Sequence, residues 1–405
     1  MTSKTSDTAE ALLSAQAVRA AANKLFEFAQ ADTLEHWRLD LSAMRAAADY
    51  VAAIIRRRYP SLDVPFHARW RHFMFGGKDF WAEIRDATSW RDEHARARAE
   101  FDLAITSVLL DAGTGGAWRY ADSVSGVIAA RSEGLALASL RLFEWGGFSA
   151  DPGDALRADA EALARFDASE LADAFQVDER NPLTGLDGRA RLLNRLAAQV
   201  DARGDLFARA GRSRPGGLYD VLHARAEDGA IAAPAILEAL LEALGPIWAN
   251  RPTLEGVPLG DCWPLEGFGY VPLHKLSQWL AYSLIEPLER AGVRVTDIDG
   301  LTGLAEYRNG GLFVDTGVLV ARDSADLTAP HGVSDAFVVT WRSLTVALLE
   351  RIAPMVRERL GVSAEQFPLA RVLEGGTWAA GRAIAREKRT DGSPPLLIIS
   401  DGTVF

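Results

Sequence analysis

Apolar residues recur every three or four positions over most of the chain, the spacing of helices that bury one face. In residues 39–60, for example, Met44, Ala48, Val51 and Ile55 form one such stripe, which Pro60 ends. The same spacing predicts helices within residues 8–58 and at 92–112, 132–146, 155–174, 187–202, 217–227, 234–245, 273–291, 335–360 and 377–388.

Strand patterns are rare by comparison. Only residues 311–322, GLFVDTGVLVAR, and 394–405, PPLLIISDGTVF, have the short apolar or β-branched runs typical of strands. The sequence therefore predicts a mainly α fold, a large helical unit with a few short strands in its C-terminal half. Its weak loop signals favour an N-terminal helical lobe at 1–211 and a C-terminal lobe at 212–405, with a single domain as the alternative.

Composition and charge narrow the function. With 405 residues, 48% of them hydrophobic, the chain is long enough for a well-ordered core. A formal charge of −11 argues against binding nucleic acid or an anionic membrane. Cys262 is the only cysteine, so disulfides and cysteine-based metal sites are excluded, and no cofactor is expected. Neither a signal peptide nor a run of about 18 apolar residues is present, which predicts a cytoplasmic protein.

The stretch VPFHARWRHFMFGG, residues 64–77, places cations among aromatic residues before a Gly-Gly turn. Arginines donate paired hydrogen bonds to anions, so this pattern favours a bound sugar phosphate. The alternative is a pair of surface arginines beside buried aromatic residues. The candidate binding residues here are His67, Arg69, Trp70, Arg71 and His72.

The predicted helix at 273–291 carries an apolar stripe of leucines and a second, polar face. His274, Gln278 and Tyr282 recur every four residues on that face, and Lys275 and Trp279 lie between them. We interpret this face as one wall of a cleft, although a polar face that simply meets water is the alternative. Pro287 has no N–H to donate to the Ser283 carbonyl, so a kink is expected there.

A glycine-rich stretch at 297–319 contains most of the candidate carboxylates. Asp297 and Asp299 are two positions apart and would point to the same side of an extended segment. Asp315 lies in the predicted strand, where an ionised carboxylate is costly unless it is bonded or faces a cleft. Glu306 and Arg308 follow a probable turn. Capping and turn formation explain the first two aspartates equally well, but they explain Asp315 poorly.

LEGGTWAAGR, residues 373–382, places Gly-Gly-Thr before a predicted helix. Exposed amides at a helix N-terminus bind anions, which makes Thr377 and Arg382 candidate binding residues. An ordinary threonine cap is the alternative.

Motifs spread over nearly the whole chain point to a known family. They are HARWRHF, FDLAITSVLLDAG, RSEGLALASL, NPLTGLDGRA, GDCW, HKLSQWLAYSLIEPL, DIDGLTGLAEYRNGGLFVDTGVL, LEGGTWAAGR and SDGTVF. In order and wording they resemble the uracil-catabolism protein four family, also called the Urc/Urg family. The resemblance implies a place in a uracil-degradation route whose intermediates resemble ribosyl-ureas, but it assigns no catalytic residue. HKLSQWLAYS is also faintly similar to the queuosine-nucleotide glycosidases, which are all-helical hydrolases.

The resemblance makes hydrolysis of an N-glycosidic bond the expected reaction, on a ribosyl-urea-type or ribonucleotide intermediate. An amidohydrolase acting on a ureido product and a non-catalytic ligand-binding protein are the alternatives. Cleavage of an N-ribosyl bond needs a carboxylate near the anomeric carbon and an acid for the leaving nitrogen. The candidate catalytic residues are Asp315, Asp297, Asp299, Glu306, His274 and Tyr282. The candidate binding residues are His67, Arg69, Trp70, Arg71, His72, Lys275, Gln278, Trp279, Arg308, Thr377 and Arg382. The expected partner is a small phosphorylated ribosyl compound, with no metal, nucleic acid or membrane.

Overall fold

A computed structural model describes residues 8–399 except 112, 115, 116 and 210. The fold is mainly α, as predicted, and its strands are short. The described residues fall into two compact units that interleave along the chain. The first unit contains the residues up to His67, Asn250–Gln278 and Asp297–Ile399, and the second contains Ala68–Ala249 and Trp279–Thr296. The predicted lobe boundary at 211–212 falls within the second unit and stays a prediction.

The first unit is built around the helix Ala336–Leu360, which packs against Ala15–Gln30, Met44–Arg58 and Tyr307–Asp315. Its apolar face is almost fully buried. The other helical segments of this unit are Ala9–Leu12, Leu369–Val372, the π-helix Leu373–Thr377, Trp378–Lys388, and the 3₁₀ turns Leu41–Ala43, Ile298–Gly300 and Ser324–Leu327.

The second unit is built around Glu93–Leu109, a helix buried along most of its length. It packs against Arg131–Glu144, Leu186–Ala202, Gly217–Arg225 and the 3₁₀ helix Arg69–Phe73. The other helical segments are Phe80–Ala87, Ala160–Leu163, Ala168–Ala174, Gly204–Phe207, Ala233–Leu244 and the 3₁₀ turn Gly245–Ile247. The helix Lys275–Arg290 begins in the first unit and ends in the second.

Each sheet in the described part of the chain has two strands. The antiparallel pairs are Trp37–Leu39 with Leu319–Ala321, Met74–Phe75 with Lys78–Asp79, Tyr120–Ala121 with Ile128–Ala129, Ala208–Arg209 with Arg212–Ser213, Thr253–Leu254 with Val257–Pro258, and Cys262–Leu265 with Gly269–Pro272. The parallel pairs are Ala230–Ala232 with Arg294–Thr296, and Pro330–Gly332 with Leu397–Ile399. The predicted strand at 394–405 is present at 397–399, and residues 400–405 lie outside the described part.

The predicted strand at 311–322 is wrong over its first half. Residues Tyr307–Asp315 form a helix, which Glu306 caps by accepting hydrogen bonds from two backbone N–H groups of its first turn. Gly317, with φ of 78°, ends this helical segment, and a strand follows at Leu319–Ala321. A short helix that contains buried glycines and apolar residues resembles a strand in composition. The sequence pattern therefore predicted a strand where a helix lies.

None of the described helices combines the length and the apolar character that a membrane span requires.

Candidate functional site

His67 and Glu374 form a buried hydrogen bond in the first unit. The His67 Nδ1 and Glu374 Oε2 atoms are 2.7 Å apart, and both side chains are almost fully buried. An ionised carboxylate only accepts hydrogen bonds, so the proton of the neutral imidazole belongs on Nδ1 and the lone pair on Nε2. The carboxylate also stabilises the imidazolium that forms when Nε2 takes up a proton. This is the arrangement of an oriented general base.

Glu374 belongs to the π-helix Leu373–Thr377. Such segments are rare and often lie at functional sites. Gly376 lets the π-helix approach Met44–Arg58 closely, because a Cβ on this glycine would lie 2.8 Å from a valine side chain of that helix. The two glycines of LEGGT therefore serve close packing, and the turn directs Glu374 toward His67.

The helix start expected at Thr377 is absent, while the binding roles of Thr377 and Arg382 stay predictions. The π-helix runs without a break into Trp378–Lys388, so Thr377 has helical dihedrals and makes no side-chain cap. The Thr377 hydroxyl is buried and has no hydrogen-bond partner among the described residues. The Trp378 ring lies 5.8 Å from the His67 ring, and the Arg382 guanidinium stacks 5.2 Å from Trp378. Aromatic and cationic groups thus extend from the His67–Glu374 pair.

A second polar cluster surrounds Arg69 in the second unit. Arg69 is fully buried, donates from Nε to Ser107 Oγ at 2.7 Å, and places Nη1 2.9 Å from Asp111 Oδ1. Nη1 also lies 3.3 Å from His72 Nδ1. Nη2 is buried and has no hydrogen-bond partner within the part of the chain that the structure describes. Burial lowers the pKa of the Arg69 guanidinium, and the charge of Asp111 partly offsets that effect.

The indole of Trp279 closes one side of this Arg69 cluster. Its ring centroid lies 5.6 Å from Arg69 Cζ and 5.4 Å from the His72 ring. The second unit therefore brings together three residues that the sequence predicted as binding residues. Tyr282 is fully buried three positions further along the helix.

Trp70 and Arg71 have structural partners in the same unit. Trp70 Nε1 donates to the Ser283 carbonyl at 2.7 Å, which satisfies the acceptor that Pro287 leaves without its helical donor. Arg71 Nη2 donates to both carboxylate oxygens of Glu286, at 2.7 and 2.8 Å. Binding roles for Trp70 and Arg71 stay predictions, and neither residue needs a ligand to explain its position.

His274 lies in a third polar group, in the first unit. Its backbone φ is +44°, its side chain is buried, and its Nε2 lies 2.9 Å from the Leu12 carbonyl oxygen. A carbonyl only accepts, so Nε2 carries the proton and Nδ1 the lone pair. Nδ1 has no hydrogen-bond partner among the described residues. Burial lowers the pKa of His274, which favours the neutral imidazole. His274 is therefore better suited to accept a proton than to act as the proton donor that the sequence suggested, and its catalytic role stays a prediction.

Asp261 and Arg342 form a buried, bidentate ion pair beside His274, with both N–O distances at 2.8 Å. Burial opposes ionisation of Asp261, but the Arg342 charge and its hydrogen bonds outweigh it and hold the pKa of Asp261 well below its usual range. Asp261 also accepts from the backbone N–H of Lys275. Gln278 is buried and bonds Thr302 through both its amide oxygen and its amide nitrogen. These contacts position the first turn of the helix Lys275–Arg290.

The aspartates at the start of the glycine-rich stretch are exposed. The residues around them form a 3₁₀ turn, so the extended segment expected at Asp297 and Asp299 is wrong. Asp297 makes no side-chain cap there, whereas Asp299 accepts from the backbone N–H of Leu369 at 2.6 Å and from Arg357 at 2.8 Å. A structural role accounts for Asp299.

The carboxylates later in the stretch are bonded as well. Glu306 caps its helix by accepting from the N–H groups of Arg308 and Asn309, at 2.7 and 2.5 Å. The Arg308 side chain donates to a backbone carbonyl at 3.0 Å. Asp315 is the last helical residue and accepts from both Nη atoms of Arg389, at 2.8 and 2.5 Å. The reason for singling out Asp315, a carboxylate inside a strand, therefore no longer holds. Its catalytic role stays a prediction.

Glu374, Asp111 and Arg342 are candidate functional residues that the sequence did not single out. Glu374 stands inside LEGGTW, where the glycines before a predicted helix favour a turn. Nothing in that pattern indicates a buried carboxylate. Asp111 follows a long apolar helix, where an aspartate indicates a helix end. For Arg342 the available signal was an arginine in the middle of an apolar helix, because such a buried charge needs a partner. Among the described residues, no three His, Cys, Asp or Glu side chains are placed to hold a metal ion.

Comparisons with known proteins agree with the motifs. The family described as "Protein of unknown function (DUF1688)" matches residues 11–405. The chain is 39% identical to "Protein urg3" of Schizosaccharomyces pombe, over 98% of this chain and 99% of that protein. It is 35% identical to "Uracil catabolism protein 4" of Lachancea kluyveri, over 97% of this chain and 98% of that protein. The resemblance to the uracil-catabolism protein four family is confirmed.

Proposed function

From its membership of the DUF1688 family and its similarity to a protein named for uracil catabolism, we propose that this chain is a uracil-catabolism enzyme. It hydrolyses the N-glycosidic bond of a ribosyl-urea-type or ribonucleotide intermediate. The observation that carries the hydrolytic part is the buried hydrogen bond between His67 and Glu374 on a π-helix.

The proposed reaction is a hydrolysis that needs no co-reactant besides water. His67 Nε2 removes a proton from water as the oxygen attacks the anomeric carbon, and Glu374 stabilises the imidazolium that results. The C1′–N bond breaks, the bonding electrons stay with nitrogen, and that nitrogen takes up the proton that His67 removed from water, which returns the imidazole to its neutral form. The products are a free sugar hydroxyl and an N–H compound such as urea. Trp378 offers a flat apolar face for the leaving group or the sugar.

Product analysis tests this proposal. Purified protein is incubated with ribosylurea, with and without a 5′-phosphate, and the products are separated. Urea plus ribose or ribose phosphate supports the proposal. Ammonia would support the amidohydrolase alternative, and tight binding without turnover would support a ligand-binding protein; either result would overturn the proposed reaction.

Substitutions of His67 and Glu374 test whether these two residues act as the general base and its partner. His67→Gln and Glu374→Gln should each lower kcat by about 100- to 10,000-fold, the range for losing general acid–base catalysis. Glu350→Gln, which removes an ion pair with Arg19 in the same unit, and His331→Gln are matched controls. Both should keep near-normal kcat. Equal losses in the pair and in the controls would show that folding, not chemistry, was affected.

A further inference from the structure

Arg69 is a fully buried arginine with one donor group left over. Its Nε and Nη1 are held by Ser107 and Asp111, whereas Nη2 has no partner among the described residues. A buried donor without a partner is destabilising, so native structures usually satisfy such groups with a ligand or an ordered water. The Arg69 fork is rigid, because its other contacts fix the plane of the guanidinium. Nη2 is therefore pre-oriented toward an acceptor that none of the described residues supplies.

The charges around Arg69 decide what kind of acceptor fits. Asp111, 2.9 Å away, balances the guanidinium in part, since it also interacts electrostatically with the buried Arg189, and Ser132 donates to the second oxygen of Asp111 at 3.1 Å. Glu133 adds further negative charge near Arg69. A phosphate carries about −1.5 to −2 charges at neutral pH and would meet these carboxylates in a buried place. A neutral oxygen acceptor satisfies Nη2 without adding charge.

The aromatic rings around Arg69 indicate the shape of the ligand. The Trp279 indole lies beside the Arg69 guanidinium, and His72 lies against both. Flat aromatic surfaces favour planar ligands. We propose that the second unit holds a binding site for a neutral, planar ureide or cyclic imide, whose carbonyl oxygen accepts a hydrogen bond from Arg69 Nη2 beside Trp279.

This inference rests on the proposed function only for the choice of ligand class. Uracil is itself a cyclic ureide, and hydrolytic breakdown products of it that keep the N–CO–N group offer the same carbonyl. For Arg69 this proposal differs from the sugar-phosphate interpretation of the HARWRHF stretch, which stays a prediction, because Asp111 already provides Arg69 with a carboxylate counter-ion.

Calorimetric binding to the full-length chain tests the site without requiring turnover. The probes are uracil, N-methylurea and inorganic phosphate. We expect uracil or N-methylurea to bind, and an excess of phosphate to leave that binding unchanged. Phosphate binding that displaces the ureides would overturn the proposal. So would the absence of ureide binding together with an ordered water on Nη2 in a crystal structure, which would show a structural water only.

A substitution of Arg69 tests whether ligand binding depends on Nη2. Arg69→Lys keeps the positive charge for Asp111 but loses the fork, so ureide affinity should fall about tenfold or more. Arg98→Lys, which alters the ion pair with Asp220 in the same unit, is the matched control and should bind normally. Unchanged affinity in a folded Arg69→Lys protein would contradict the proposal. If that variant does not fold, the wild-type competition with phosphate decides. Ureide binding without ribosylurea hydrolysis would overturn the proposed reaction and leave this site intact.

Discussion

His274 combines a left-handed backbone with a buried imidazole. A φ of +44° is uncommon outside glycine, and asparagine, aspartate and histidine tolerate it best. The hydrogen bond to the Leu12 carbonyl then fixes which nitrogen carries the proton. Strained residues of this kind persist only where the surroundings hold them, here through the Asp261–Arg342 pair that also anchors the next backbone N–H. The strained backbone thus holds His274 in a conformation that buries the Nδ1 atom and its lone pair inside the protein.

Asp315 illustrates how one buried ion pair changes a prediction. As a transition-state carboxylate, its loss would lower kcat by roughly 100- to 1000-fold. Both its oxygens are instead engaged by Arg389, and its side chain is only 5% exposed. We therefore expect Asp315→Asn to lower the free energy of unfolding by about 1–3 kcal/mol, because a charge-assisted bond is lost. Turnover should stay within about threefold of wild type.

The measurement compares the melting temperature with kcat in three variants. Arg389→Gln removes the other half of the ion pair and should have a similar effect on stability. Asp323→Asn is a control, since Asp323 only caps an exposed 3₁₀ turn. A collapse of kcat in Asp315→Asn with an unchanged melting temperature would restore Asp315 to the active site.

At the scale of elements, the helix Lys275–Arg290 depends on a distant indole. Pro287 cannot donate to the Ser283 carbonyl, and Trp70 Nε1 donates to it instead at 2.7 Å. Trp70→Phe keeps most of the packing but leaves that buried carbonyl unsatisfied, at a cost of about 1–3 kcal/mol in unfolding free energy. Pro287→Ala returns an N–H to the helix.

A double-mutant cycle checks this account. Trp70→Phe should cost clearly less in the Pro287→Ala background, because the backbone then satisfies Ser283. Urea denaturation of the wild type, both single variants and the double variant gives the coupling energy. Additive effects would mean that the indole contributes by packing alone.

The π-helix Leu373–Thr377 gives a second test at this scale. A Cβ on Gly376 would lie 2.8 Å from Val51 Cγ1, so Gly376→Ala should destabilise the protein by about 1–3 kcal/mol through overpacking. Val51→Ala removes the nearest of these contacts and leaves Ile55 Cδ1, 2.9 Å from the added Cβ, to shift. We expect the double variant to be more stable than the sum of the two single effects predicts, as measured by thermal unfolding. Gly361→Ala, at an exposed helix end with φ of 74°, is a control for strain without crowding.

Across the whole molecule, the sequence predicts what repeats locally and misses what depends on distant segments. The helical spacing located Met44–Arg58 and Leu186–Ala202 well, because burying one face imposes a period of 3.6 residues. The His67–Glu374 pair joins positions 307 residues apart, and no local pattern encodes such a contact. The sequence also fails to predict the role of the LEGGTW glycines, because they pack against a helix that is distant along the chain. HARWRHF contains three buried polar residues, His67, Arg69 and His72, but the binding roles predicted for them stay predictions.

The pH dependence of stability is a property of the whole molecule that His274 should influence. Burial holds its pKa below the ordinary value of about 6.5, at which the unfolded chain takes up its proton. Between the folded and unfolded pKa values the unfolded state binds more protons, so unfolding free energy rises with pH there. The contribution of His274 is therefore complete above about pH 6.5 and is lost as the pH falls through its folded pKa. Asp261 keeps its own contribution throughout this window, because its depressed pKa takes effect only in stronger acid.

Melting temperatures of wild type and His274→Asn between about pH 5 and 7.5 test this linkage, in the range where histidines titrate. Asparagine accepts a positive φ and cannot take up a proton, so the variant should lose less stability on acidification than the wild type. The two proteins should thus differ most at neutral pH and converge toward pH 5. His331→Asn, at a half-buried histidine bonded to the Asp326 carbonyl, serves as the comparison for removing any histidine. Parallel curves of melting temperature against pH for wild type and His274→Asn would show that His274 keeps its ordinary pKa in the folded protein. That result would contradict the interpretation of His274 as a neutral imidazole that accepts a proton.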